Sequence, residues 1–190
     1  MKKVLLLTIV LCLIGCFPMR STFYYPSGKG GKTVLSDCYG KAGFPNTYEL
    51  RFAEFRGYLS TSLNDQGNKV RLTLLINVEK DKTIEFKAKF IEVHIDDKKL
   101  IYKFDKILAW NYGEAKILQN GTLVGLHDVT NQTSFSGSVY QAYEFTTEFE
   151  ISSDDFTAKL PLISIGSAVI DIGEIHFIKK SSTVIMPINC

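Results

Sequence analysis

The stretch YEFTTEFEI, residues 143–151, decides the fold more clearly than any other part of the sequence. Its odd-numbered residues are aromatic or β-branched, and its even-numbered residues are glutamate or threonine. This two-residue alternation is typical of a β-strand that buries one face and exposes the other. Glu144, Glu148 and Glu150 share the polar face, and we interpret them as solvated rather than catalytic.

The same alternation recurs upstream of this strand. After turn-forming residues at 64–68, apolar residues occupy every even position of 70–78, and a second alternating segment covers 84–90. The apolar parity then shifts at Phe90–Ile91. Because an uncorrected slip would turn every side chain to the other face, the shift predicts a β-bulge or a bend. Asp96 and Asp97 predict a tight hairpin turn.

Eight or nine short strands of this kind, separated by turns, favour a single all-β domain over residues 33–190. We expect an antiparallel β-sandwich, Ig-like in general architecture, with an eight-stranded β-barrel as the alternative. Three segments are less regular. Residues 105–119 allow a short helix, Pro161 weakens a strand at 156–164, and 168–178 is apolar on both parities, as a central strand would be.

The chain begins with a segment unlike the rest. Lys2 and Lys3 precede an apolar run from Val4 to Ile14, which is too short for a transmembrane helix. A charged start, a short apolar core and a small residue at the end predict a secretory signal peptide over residues 1–15.

The end of this segment, Leu13-Ile14-Gly15-Cys16, resembles the lipobox of bacterial lipoproteins. The resemblance implies that Cys16 becomes the first residue of the mature chain, carries acyl chains and anchors the protein to a membrane of the bacterial cell envelope. In that class an aspartate after the cysteine favours the inner membrane. Phe17 therefore implies the outer membrane, facing the periplasm, if the source has two membranes.

Residues 16–32 lack any hydrophobic period and end in Pro26, Ser27 and three glycines. We expect a lipidated, flexible tether. The run SGKGGKT resembles a phosphate-binding loop only superficially, because Pro26 stands where that motif requires a glycine.

The signal segment determines which cysteines remain available for a disulfide in the mature chain. Cys12 leaves with the signal peptide and the lipobox assigns Cys16 to lipid, so Cys38 and Cys190 are the only pair left in the mature chain. Export into an oxidising compartment favours a disulfide between them. Two free thiols or intermolecular pairing are the alternatives.

Charge and motifs exclude several functions. The formal net charge is +2, and residues 1–15 hold two lysines and no acid, so the mature chain is formally neutral and nothing suggests nucleic-acid binding. His94, His127 and His176 lack the spacing of metal ligands. No serine lies in a nucleophile motif. We predict no catalytic residue, metal or cofactor, and no enzyme activity.

Trp110 and Tyr112 form the best candidate for a recognition patch, since aromatic side chains outside the core stack on sugars or anchor protein partners. The only tryptophan of a β-domain is, however, often a core residue. The sequence favours a non-enzymatic, membrane-anchored protein that binds another envelope protein or a wall component. A lipocalin-like carrier of a small ligand is the alternative, and a hydrolase is the third possibility.

Overall fold

A computed structural model describes residues 16–36, 43–53, 55–113, 116–117 and 123–187. In these residues the chain forms eighteen β-strands and no helix. The strands are β1 (Cys16–Gly28), β2 (Gly31–Val34), β3 (Thr47–Arg51), β4 (Phe55–Leu63), β5 (Lys69–Val78), β6 (Thr83–Phe86), β7 (Phe90–Ile95), β8 (Lys98–Lys103), β9 (Lys106–Trp110), β10 (Lys116–Ile117), β11 (Leu123–Val124), β12 (His127–Asp128), β13 (Ser134–Ser136), β14 (Ala142–Glu150), β15 (Asp155–Lys159), β16 (Ile163–Ile165), β17 (Ala168–Ile170) and β18 (Glu174–Pro187).

Seven strands form the large sheet, in the order β12-β9-β14-β5-β4-β3-β2. Two smaller sheets have the orders β1-β18-β15-β7-β8 and β13-β6-β16-β17, and β10 pairs with β11. All of these pairings are antiparallel. Within the described residues no sheet closes on itself, so the predicted β-sandwich is confirmed and the barrel alternative is not adopted.

The two smaller sheets pack against the large one through aromatic side chains. Phe145, from the centre of β14, lies 4.7 Å from Phe86 and 4.9 Å from Phe135, measured between ring centroids. Phe149, on the same strand, lies 5.4 Å from Phe156 of β15. The alternating stretch at 143–151 thus contacts both smaller sheets and joins the two layers.

The chain passes between the smaller sheets at two strand breaks. β6 ends at Phe86 and β7 begins at Phe90 in the other sheet, which confirms the bend predicted at Phe90–Ile91. β15 and β16 are separated in the same way by residues 160–162, where Pro161 sits. The Lys87 amide donates to the Leu162 carbonyl over 2.9 Å, so the two breaks lie side by side.

Two predicted elements are wrong in the described residues. The described part of 105–119, which the sequence allows as a short helix, contains strands β9 and β10 and no helix. In β9, Ile107 and Ala109 are buried while Leu108 and Trp110 are only partly buried. The single strand expected at 168–178 is divided between β17 and β18. Gly173 causes the division, since its φ of 77° takes the chain out of extended geometry.

The tether prediction is also wrong for most of its length. Cys16–Gly28 pairs residue by residue with β18, and Gly31–Val34 pairs with β3. Phe23 and Tyr24 explain why no period was visible. They point in opposite directions, yet both are buried, one against Phe44 and the other against Phe156.

The remaining predictions on the termini fall outside the described residues. These are the signal peptide at 1–15 and the disulfide between Cys38 and Cys190. In the part of the chain that is described, no helix has the length and apolar character needed to cross a membrane.

Candidate binding surface

The outer face of the large sheet carries two rows of side chains that the strand register aligns. The first row crosses five strands in the order Arg51, Arg56, Asn77, Ala142, Trp110. The second row, two residues further along each strand, reads Glu49, Tyr58, Leu75, Glu144, Leu108. The residues between these rows point inward and are buried, for example Leu50, Ile76 and Ala109. We call the two rows, together with Tyr112, the outer-face patch.

Trp110 stands on the outer side of the sheet and not in the core. It is half-buried and is absent from the buried cluster that fills the sandwich. Tyr112 follows two residues later and is 63% exposed, which is high for an aromatic side chain. Gln141 holds this segment in place, because its side-chain carbonyl accepts a hydrogen bond from the Tyr112 amide over 3.1 Å. Burial of part of the ring raises the pKa of the Tyr112 hydroxyl.

Cations dominate the β3 end of the patch. Arg51 forms a bidentate pair with Glu49, with Nε and Nη2 at 2.9 and 3.0 Å from the two carboxylate oxygens. Lys32 and Arg56 approach the same carboxylate at 3.5 and 3.8 Å. The Arg51 hydrogen bond lowers the pKa of Glu49. One buried carboxylate therefore faces three exposed cations, and the cluster retains an excess of positive charge.

The patch continues into an open cleft of about 570 Å³ at the end of the sheet. It is lined by Arg51, Arg56, Tyr112 and the amides Asn77 and Gln141, and also by Glu79 and Lys80, whose formal charges are opposite, so the two arginines give it an excess of positive charge. Its floor includes Phe52 and Phe55, whose rings stack 4.9 Å apart. An aromatic face, two guanidinium groups and two amides thus open onto the same space. This combination suits a ligand that has flat apolar surfaces, hydroxyl groups and negative charge.

Only part of this surface was predicted. Trp110 and Tyr112 were singled out by residue type, and the structure brings them together with Arg56, Tyr58 and Asn77. Nothing in the sequence pointed to these three, because their neighbourhood depends on the register between β4, β5 and β9. The one available signal is weak: Asn77 and Tyr58 occupy the polar parity of strands whose other parity is apolar.

A second concave region lies on the sheet that contains β7, β15 and β18. His94 and His176 both stand opposite Thr157 in register, one on each side. They share a groove of about 450 Å³ with Asp96, Asp97 and Asp155. His176 Nε2 is 3.6 Å from the Asp155 carboxylate. Among the described residues, no group of three or more histidine, cysteine or acidic side chains is placed to hold a metal ion.

His127 and Asp128, which are adjacent in the sequence, engage different partners. Asp128 accepts hydrogen bonds from the amide and the hydroxyl of Thr130 over 3.0 and 2.7 Å, and these bonds lower its pKa. The His127 ring lies 5.0 Å from the ring of Tyr140. The glutamates of β14 form ordinary surface contacts, such as the 2.6 Å ion pair between Glu148 and Arg71.

Comparison with family models, with curated proteins and with solved structures gave no match to this chain.

Proposed function

We propose that this protein is a non-enzymatic binding protein of the bacterial envelope, anchored through acylated Cys16, and that the outer-face patch is its binding surface. The observation that carries the proposal is the position of Trp110, on the outer face of the large sheet in one row with Arg56. Trp110 and Arg56 are three strands apart in this row, and tryptophan, tyrosine and arginine on one surface are the residue types most enriched where proteins bind partners.

The chemistry of the patch favours a sugar polymer with negative groups, such as a wall glycan. The exposed ring of Tyr112 and the half-buried Trp110 offer flat surfaces on which a sugar ring can stack. Arg56, which is 3.8 Å from Glu49, suits a carboxylate or phosphate group, which guanidinium groups bind in bidentate geometry, and Arg51 adds positive charge beside it while paired with Glu49. Asn77 and Gln141 supply amides for hydroxyl groups. An envelope protein as partner is the other possible outcome of the test below.

Two alternatives receive less support from the described part of the chain. A lipocalin-like carrier needs an enclosed apolar cavity, whereas the large sheet is open there and its cleft is lined by charged and polar groups. A hydrolase needs a nucleophile beside a base. Among the described residues, the Asp128 carboxylate accepts hydrogen bonds from Thr130, and its partner is not His127.

Trp110 is the only tryptophan in the chain, so its fluorescence reports directly on the patch. We expect soluble fragments of bacterial wall glycan to change the Trp110 emission in a saturable way. Tyr112→Ala and Arg56→Ala should each weaken the affinity by about tenfold or more, which corresponds to about 1.4 kcal/mol. Arg71→Ala is the matched control, because Arg71 is an exposed arginine near the other end of the same sheet.

Unchanged emission at all glycan concentrations, or equal losses in the Arg56 and Arg71 variants, would contradict the glycan proposal. The anchor is tested separately by the intact mass of the protein extracted from membranes. The mass should correspond to a chain that begins at Cys16 and carries acyl groups, whereas a chain without added lipid would contradict the lipobox assignment.

A further inference from the structure

The longest strand pair of the molecule projects beyond its sheet. β1 and β18 pair over thirteen residues, from Cys16 opposite Pro187 to Gly28 opposite Ile175. β15 joins β18 only over 174–178. Within the described residues, no third strand pairs with 16–22 or 181–187. We call these two segments the ribbon. Seven pairs of extended residues reach about 20 Å.

The composition of the ribbon changes in layers along its length. The four pairs at its end, formed by 16–19 and 184–187, contain only apolar residues and the cysteine. We call them the apolar tip. The next three pairs are polar: Arg20 with Thr183, Ser21 with Ser182, and Thr22 with Ser181. The hydroxyls of the last pair are 3.0 Å apart.

Two lysines follow the polar pairs. Lys180 stands opposite Phe23, and its ammonium lies 3.9 Å above the ring of Tyr25. Lys179 stands opposite Tyr24 and is 3.3 Å from Asp154. Exposed Arg20 in the first polar pair and the two lysines after the last one therefore place three cations behind the apolar tip, with Asp154 and Asp155 beside the lysines.

From these layers we infer that the apolar tip inserts into the lipid bilayer beside acylated Cys16, as a second membrane contact. The inference rests on the proposed lipid anchor. It adds a second set of residues in contact with the membrane and an orientation of the protein relative to the bilayer. Side chains of a strand alternate between two faces, so an isolated ribbon in water would need polar residues on at least one of them. The tip has apolar residues on both faces, which suits a surrounding of lipid.

The depth of insertion is limited by the backbone. A two-stranded sheet has open edges, and backbone amides and carbonyls cannot enter the hydrocarbon core unless they are paired. Four residue pairs span about 10 Å, which matches the headgroup and acyl boundary where amphipathic segments lie. Arg20 then stands level with the lipid phosphates, to which basic residues near a membrane are attracted, and the two lysines lie about 10 Å further from the bilayer.

The ribbon also orients the outer-face patch. It leaves the body near Thr61, whose hydroxyl donates to the Tyr24 carbonyl over 3.4 Å. Thr61 lies toward the Leu63 end of β4, whereas the cleft is built at the Phe55 end of that strand. The tip and the cleft are therefore at opposite ends of the molecule. When the tip is inserted in the bilayer, the cleft therefore points away from the membrane.

The test places a single indole at the tip of the mature full chain. Ile185→Trp in a Trp110→Phe background is mixed with vesicles of phosphatidylethanolamine and phosphatidylglycerol (3:1) that contain lipids brominated near the headgroup. Val169→Trp in the same background is the matched control, because Val169 is 57% exposed on β17. We expect the tip indole to be quenched at least twofold more strongly than the control.

Equal quenching of the two indoles would overturn the inference. The intact mass of the same samples separates this result from a failure of the anchor. If Cys16 is acylated and the two indoles are quenched equally, the lipid anchor is supported and insertion of the tip is contradicted. If Cys16 is not acylated and the tip indole is quenched more strongly, insertion of the tip is supported and the lipid anchor is contradicted. A dimer in detergent that Ile185→Asp converts to a monomer would also overturn it, and would assign the tip to a second copy.

Discussion

Glu49 is the residue whose environment departs most from what its position in the sequence suggests. It lies at a polar position of an alternating strand, yet only 4% of it is exposed, beneath Lys32, Arg51 and Arg56. Burial of a carboxylate is favourable only when its charge is compensated. The three cations provide this compensation and hold its pKa below the ordinary value of 4.5.

This environment predicts a pH-dependent stability difference between the wild type and Glu49→Gln. A carboxyl whose pKa is lowered by folding stabilises the protein above its unfolded pKa, and the contribution is lost as the pH falls through the folded pKa. We expect the variant to be less stable by about 1 kcal/mol at pH 7, a value kept small because the three cations are solvent-exposed. Urea unfolding should show this difference shrinking below about pH 4.5. A difference that is constant from pH 7 to 3 would contradict the assignment.

Phe145 makes the strongest prediction about the core. It is fully buried and contacts the rings of Phe86, Phe104 and Phe135. Phe145→Ala should therefore lower the free energy of unfolding by about 3–5 kcal/mol. Ile101→Ala serves as the control, because Ile101 is 58% exposed and its loss should cost no more than about 0.5 kcal/mol. Similar losses in both variants, measured by denaturant unfolding, would show that Phe145 does not join the layers as described.

Residue type alone could indicate the candidate surface but not complete it. Tyr112 and the single tryptophan could be selected from the sequence by residue type. Arg51 and Arg56 could not be selected in this way, because the antiparallel register of β3 and β4 brings them opposite each other and the apparent shift of apolar parity between the two strands conceals the pairing. The cluster of cations at this end of the outer-face patch therefore depends on the register between β3 and β4.

At the scale of strands, the segments with strict alternation were predictable. β5 and β14 appear where the pattern places them, and Asp96 and Asp97 form the predicted hairpin with φ of 47° and 63°. Positive φ at both central residues is typical of a type I′ turn. The strand at β9 was not predictable, because its local pattern allowed a helix and the strand is fixed by pairing with β14 and β12. The division at Gly173 has a local cause, the positive φ of that glycine, which the apolar residues on both sides of it concealed.

β1 is the element on which sequence and structure differ most, and the difference can be measured. Arg20 lies within the paired ribbon, whereas Lys29 lies in the turn between β1 and β2. Trypsin cleaves only where the backbone can leave its hydrogen bonds. We expect cleavage after Arg20 in the native protein to be roughly tenfold slower than after Lys29. In urea, the two sites should be cleaved at similar rates.

Equal cleavage of the two sites under native conditions would contradict the pairing of residues 16–22 and would support the flexible tether predicted from the sequence.

At the scale of the molecule, the two-layer architecture was foreseen because alternation reports directly on a sheet with one buried face. The division of one layer into two smaller sheets was foreseen only in part. The shift at Phe90 and Pro161 each marked an irregularity, but neither showed that the two irregularities lie side by side. Their adjacency, through Lys87 and Leu162, is a tertiary contact.

The predicted disulfide would constrain nearly the whole mature chain. A bond between Cys38 and Cys190 would close a loop that contains nearly all of the domain, which corresponds to about 5 kcal/mol in the chain-entropy description. We expect reduction to raise the intact mass by two hydrogens and Cys38→Ser to lower the stability by an amount approaching this value. Two thiols that react with an alkylating reagent in the native oxidised protein would contradict the bond.

The central claim is that the outer-face patch binds an envelope component. The most direct measurement is photocrosslinking in intact cells, with a benzophenone amino acid in place of Tyr112 and, as the control, in place of exposed Ile101. We predict a crosslinked adduct at position 112 that is absent at position 101 and is lost when Arg56→Ala is added. Identical patterns at the two positions, or no adduct at position 112, would contradict the claim.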